Sequence, residues 1–105
     1  MATGGTVETV TDQEIMDAKA QVDAAGIGAE PASCATVAGA RKLVAAGVVR
    51  SDELVCGILT GHLLKDSEIA VAYHRGTLSG IASTYANPPI QADATLDAVL
   101  AAMGD

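Results

Sequence analysis

Thr60, Gly61 and His62 stand immediately after an apolar run, Leu54-Val55-Cys56-Gly57-Ile58-Leu59. In an open α/β sheet, ligands bind in the crevice beyond the carboxyl ends of the strands. A hydroxyl that donates or accepts, a glycine that lets backbone approach a ligand closely, and a titratable imidazole are useful groups at such a place. Position alone leaves a second reading open, a strand-to-helix turn in which Thr60 satisfies local backbone groups and His62 faces water. Glu30 precedes Pro31 close to a predicted helix start, either as a partner for the helix dipole or as a second site residue. Ser33, in the same turn, is a candidate cap.

Lys65 lies close enough to this triplet to suggest a Schiff base. Such a lysine needs desolvation or nearby positive charge to lower its pKa, whereas Asp66 follows directly and stabilises the ammonium. Salt bridging or loop anchoring is the expected role. His74 and Arg75 close a short predicted helix as charges that complement its dipole, and Lys19 and Lys42 are expected on solvated helix faces. Cys34 and Cys56 have neither CxxC spacing nor clustered histidines. No zinc site or disulfide framework is expected, only reduced, partly buried thiols.

The elements that must position these groups follow from local pattern. Thr11-Asp12-Gln13-Glu14 is a capping box, and Ile15, Ala18, Val22 and Ala25 continue an apolar stripe until Gly26 stops the helix. Pro31 suits the first turn of a second helix reaching about Ala46. Its Ala35, Ala38, Gly39 and Ala40 predict close packing on a sheet. The run from Leu54 to Leu59 lacks alternation, as does a strand covered on both faces. Asp66 and Ser67 are candidate caps for a short helix through Tyr73, and residues 76–89 read as loop. Leu96, Val99, Leu100 and Met103 repeat at helical spacing, with Asp93 as a candidate cap.

A single central strand needs hydrogen-bonded neighbours, and only residues 6–10 and 27–29 offer candidates. The expected architecture is therefore α/β, an incomplete doubly wound, Rossmann-like αβα fragment with a C-terminal amphipathic helix, which completes its sheet with other polypeptide or stays loosely packed. At 105 residues the chain makes one domain at most. Six basic against thirteen acidic residues give a net charge of −7, which disfavours nucleic acid and anionic membrane surfaces. No stretch approaches the ~20 apolar residues of a membrane span, and no basic segment with an apolar signal core opens the chain, so a cytoplasmic address is expected.

Val10-Thr11-Asp12-Gln13-Glu14-Ile15, Glu30-Pro31-Ala32-Ser33 and Leu59-Thr60-Gly61-His62-Leu63-Leu64-Lys65-Asp66 together resemble, in order and spacing, the C-terminal segment of threonine synthase. The similarity covers nearly the whole chain. Its specific part is the pairing of an EPAS-type turn with a TGHxLKD-type loop about thirty residues further on. Leu63 departs from the glycine that many relatives have there. The stretch from Asn87-Pro88-Pro89 onward also looks like the end of that family, which implies that Asp105 is near a native C-terminus.

The resemblance implies fold type II architecture, pyridoxal 5'-phosphate as cofactor, and conversion of O-phospho-L-homoserine and water to L-threonine and phosphate. By carry-over, Thr60 hydrogen-bonds the pyridine nitrogen of the cofactor, Glu30 sits at the cofactor's edge, Ser33 shapes the same wall, and Gly61 and His62 complete the loop. The family's Schiff-base lysine, phosphate cradle and substrate-phosphate ligands match nothing here, and Gly4-Gly5 is too short for a cradle. The implied partners are the N-terminal remainder of the enzyme and a second copy, since enzymes of this fold often dimerise, and the chain alone is expected to be inactive. Two alternatives stand beside this reading. One is a fragment of a threonine or serine dehydratase or a cysteine synthase; the other is a non-enzymatic binding or interface module derived from the fold.

Overall fold

The computed structural model describes residues 3–104; Met1 and Ala2 lie outside it, as does Asp105, the expected near-terminal residue. Helix α1 spans Asp12–Ala24 and begins at the capping box. The Thr11 hydroxyl accepts from the Glu14 amide at 3.2 Å, while the Thr11 amide donates to Glu14 Oε2 at 2.7 Å. Two of the first turn's orphan donors are thereby satisfied. The helix ends at Ala25, and Gly26 follows at φ +77°, a left-handed backbone that glycine adopts without steric cost.

Helix α2 spans Pro31–Ala45, α3 Ser67–His74 and α4 Leu96–Met103. Helix α1 is the centre of the molecule, because it buries two faces. On one, Ala18 and Val22 pack with Ala29 and with Cys34 and Ala38 of α2, flanked by Val10, Val37 and Leu59. The small residues let the two helices approach closely. On the other, Met16 and Ala20 pack against Tyr73 of α3, flanked by Leu78 and Ile81. The apolar stripe predicts the first face and misses the second. Ala25, expected on the stripe, is exposed beyond the helix end. Lys19, expected to be solvated, is buried and paired with Asp23 at 2.5 Å. A lysine within a helix enclosed on two sides keeps its charge below the surface only with such a partner.

Among the described residues there is no strand. Among the described residues no backbone-to-backbone hydrogen bond involves residues 54–59, whose Ile58 carbonyl accepts from Thr36 Oγ1 at 3.5 Å, and Leu54, Val55 and Ile58 are exposed. Helix α2 accordingly packs on α1 rather than on a sheet, leaving an apolar groove between its Val37, Ala40 and Val44 and residues Val55 and Gly57. Helix α4 forms where expected, but its cap is Thr95, whose hydroxyl accepts from the Ala98 amide at 3.2 Å, rather than Asp93. None of its residues is buried. The radius of gyration, 16.6 Å, exceeds the ~13 Å of a compact chain this long, as these uncovered elements require.

Candidate functional site

The loop from Thr60 to Asp66 docks on the first turn of α2, and the sequence around Pro31 prepares that turn. Proline holds its predecessor out of the helical region, so Glu30 is extended (φ −62°, ψ 157°) and makes no side-chain cap. Its carboxylate is directed instead toward the loop. The Glu30 amide donates to the Gly61 carbonyl at 3.1 Å, and the Gly61 amide donates back to Ser33 Oγ at 2.9 Å. The Thr60 amide reaches the same Ser33 oxygen at 3.2 Å. One buried serine thus holds two consecutive loop amides.

Ser33 Oγ also lies 3.2 Å from Glu30 Oε1 and 3.3 Å from Thr60 Oγ1. A hydroxyl has one proton and two lone pairs. With both lone pairs engaged by the amides and the proton directed at the carboxylate, Ser33 leaves only a long, shared contact of 3.3 Å to Thr60 Oγ1. Thr60 is exposed at the surface, so its hydroxyl can turn from that contact toward an acceptor outside the protein. The other Glu30 oxygen, Oε2, has no partner in hydrogen-bond geometry, but the Lys65 ammonium lies 2.7 Å from it as an ion pair. At that distance the ammonium holds the Glu30 carboxyl below the usual carboxylate range despite burial, and Lys65 is raised above the ordinary lysine value.

A turn closed by the Lys65 amide on the His62 carbonyl at 3.0 Å swings Lys65 back over Glu30. Asp66 then takes the left-handed conformation, φ 55°, at the start of α3. Its side chain makes no cap, contrary to the expectation for it. Gly61 is required by the packing, since a Cβ there would overlap the Glu30 side chain. Leu63 packs over Gly28, where an added Cβ would meet Leu63 Cδ2 at 3.2 Å. His62 is exposed, and its Nδ1 accepts from the Leu64 amide at 3.1 Å, so the neutral ring carries its proton on Nε2.

No protein-family model matches the chain. Among curated proteins it is 58% identical over 71 residues to threonine synthase of Methanosarcina acetivorans, 65% of this chain and 17% of that protein. It is 44% identical over 71 residues to threonine synthase of Methanocaldococcus jannaschii, 67% of this chain and 18% of that protein. The match to threonine synthase 2, chloroplastic, of Arabidopsis thaliana is 30% over 96 residues, 91% of this chain and 19% of that protein. This chain is a relative of the threonine synthases. It spans less than a fifth of the length of these three relatives.

In this threonine synthase relative, four of the five expected site residues, Glu30, Ser33, Thr60 and Gly61, form one hydrogen-bonded cluster. His62 adjoins it with no recorded bond to the other four. Lys65 forms a salt bridge, as expected of it, and the partner is Glu30; Asp66 adds a weaker electrostatic contribution that also favours the ammonium. The sequence carries no local signal for that pairing, because the need for a counter-ion comes from the burial of Glu30 beneath Gly61, which only the fold supplies. Cys34 is buried, which raises its thiol, while Cys56 is exposed rather than partly buried.

Proposed function

We propose that this chain is the C-terminal part of a pyridoxal-phosphate-dependent threonine synthase, which converts O-phospho-L-homoserine and water to L-threonine and phosphate, and that it is inactive alone. The observation that carries this reading is the exposed Thr60 hydroxyl, held beside a Ser33 whose own proton is directed at Glu30. A hydroxyl donor suits the acceptor nitrogen of a pyridine ring, and the Ser33 and Gly61 bonds hold Thr60 without using its hydroxyl proton. When bound, the cofactor supplies the electron sink of the reaction. The protein's part here is to bind and orient: Thr60 donates to the ring nitrogen, Gly61 keeps the loop flush against α2, and His62 offers Nε2–H at the rim. Glu30 and Ser33 belong to the same wall.

The fold reading follows the same line. Residues 54–59 become a central strand of a doubly wound sheet when the rest of the enzyme supplies neighbours on either side, with α2 covering one face. Their backbone, without a backbone-to-backbone bond among the described residues, and their exposed apolar side chains support this, as does the short span of the match. The proposed setting is cytoplasmic, and the proposed partners are the N-terminal remainder and a second copy, with no nucleic acid, which a net charge of −7 disfavours.

The test is phosphate release from O-phospho-L-homoserine with added pyridoxal phosphate, for this chain alone and mixed with the N-terminal portion of a threonine synthase. Activity in the mixture only, abolished by Thr60→Ala, is the expected result. Turnover by the chain alone sinks the proposal, and silence in both favours a non-enzymatic module.

A further inference from the structure

The Glu30 carboxylate lies beneath Gly61, where only glycine leaves room for it, and its two oxygens are divided between Ser33 and Lys65. Its side chain is 8% exposed, whereas that of Lys65 is 64% exposed, so the lysine closes over the carboxylate from the solvent side. The carboxylate is the acceptor that draws the Ser33 proton away from Thr60 Oγ1. We infer that Lys65 and Glu30 form a clasp, a positioning pair that acts through Ser33 to hold the Thr60–Gly61 backbone and to fix the direction in which the Thr60 hydroxyl donates. The inference rests on the reading of Thr60 as the group that meets the ligand.

The clasp works by exclusion. With Lys65 in place, Glu30 stays under the loop and takes the Ser33 proton, the Ser33 lone pairs stay aimed at the two amides, and Thr60 donates outward. Without Lys65, a nearly enclosed carboxylate has one hydroxyl partner and no counter-ion, and it swings toward water. The Ser33 proton then turns to Thr60 Oγ1, one lone pair leaves the amides, and the loop loosens. Lys65 does not touch the ligand in this scheme. Glu30, part of the wall, acts on Thr60 through Ser33, and Lys65 acts through Glu30.

The test is amide hydrogen exchange on the intact 105-residue chain, with Val22 and Ala38 as references in the α1–α2 core. Lys65→Met is expected to speed exchange at Thr60 and Gly61 by on the order of fivefold, with the references unchanged. Glu30→Ala is expected to do the same, since it removes the acceptor of the Ser33 proton and leaves that proton to turn to Thr60 Oγ1. Lys65→Arg restores protection. Unchanged exchange at Thr60 and Gly61, a uniform rise that includes the references, or no rescue by arginine would each overturn the clasp. No cofactor is present in the measurement, so its failure leaves the reading of Thr60 standing, and a silent reconstituted mixture leaves the clasp standing.

Discussion

Residues 76–87 and residues 54–59 are both irregular, but they are held in opposite ways. The first stretch is gathered around Tyr73, which is fully buried between α1 and α3. Its hydroxyl donates to Asp17 Oδ1 at 2.6 Å and accepts the Tyr85 amide at 3.1 Å, while its carbonyl accepts from Ser83 Oγ at 2.5 Å. The Gln13 amide group brackets Ala82, accepting from its amide at 2.7 Å and donating to its carbonyl at 2.8 Å. Residues 54–59 expose far more apolar surface, and among the described residues their backbone makes no backbone-to-backbone bond and one long side-chain bond, Thr36 Oγ1 to the Ile58 carbonyl at 3.5 Å. A segment tied by several hydrogen bonds and by Leu78 and Ile81 against the core is thus better fixed than an apolar run with almost no partner, because apolar side chains gain nothing until something covers them.

Removing the Tyr73 ring tests the first half of that comparison and has the largest expected effect. Tyr73→Ala takes out the largest buried side chain, and by analogy with other large aromatic truncations costs about 3–5 kcal/mol. Urea unfolding followed by circular dichroism measures it. Tyr73→Phe keeps the ring and loses only the two hydroxyl bonds, so it should cost less and release residues 82–87 selectively. Equal losses from the two variants would mean that the hydrogen bonds, not the packing, hold this side of α1.

Ser33→Ala should come next, at about 1–3 kcal/mol, because two amides and a carboxylate oxygen lose a common partner in a buried place. The same denaturation experiment reads it. Threonine at this position should recover part of the loss, since it keeps the hydroxyl.

Comparison of these sites with the capping box explains what was legible in the sequence and what was not. Thr11 and Glu14 satisfy each other within one turn, so the residues that decide the structure are adjacent in the chain. Helix α4 was legible by its spacing alone, although Thr95 rather than Asp93 caps it. Tyr73, Gln13 and Ala82 meet across 69 residues of chain between Gln13 and Ala82, with no pattern to join them. Lys19 was misread because apolar spacing reports one face of a helix, and α1 has two. The Thr60 loop was legible through resemblance; its bond to Ser33 and the Glu30–Lys65 pair required the fold.

The capping box itself gives a smaller, local effect. Thr11→Ala should cost ~1 kcal/mol, confined to the start of α1. Acid should act on the same box and on the clasp together. Glu14 is held below the ordinary carboxylate value chiefly by the Thr11 backbone bond, and Glu30 by Lys65. A depressed carboxylate stabilises the fold above its unfolded value, and that stabilisation is lost as pH falls through the folded value. Lys65, raised by Glu30, contributes fully below the ordinary lysine value and loses its contribution as pH rises through the raised one. The thermal midpoint should therefore be level between these limits and drop on the acid side below the ordinary carboxylate range. Pairing Glu14→Gln with Glu30→Gln should flatten that acid drop, since each removes a depressed carboxylate; an undiminished drop would assign it to other carboxylates.

The smallest effect on the chain alone belongs to its most apolar run. Ile58 is 73% exposed, so Ile58→Lys should change stability by no more than ~0.5 kcal/mol, the range of ordinary surface substitutions. In the mixture with the N-terminal portion of a threonine synthase the same change should abolish rescue, because a lysine within a strand covered on both faces is an unpaired buried charge. The ratio between the two effects decides the matter. A substitution silent in both settings would mean that residues 54–59 stay uncovered in the assembled enzyme, and the sheet reading would fall. One that unfolds the chain alone would mean that the run is already packed, and the contrast with residues 76–87 would be lost. Silence alone with loss in the mixture would show that the run's apolar character serves an interface formed only when the rest of the enzyme arrives.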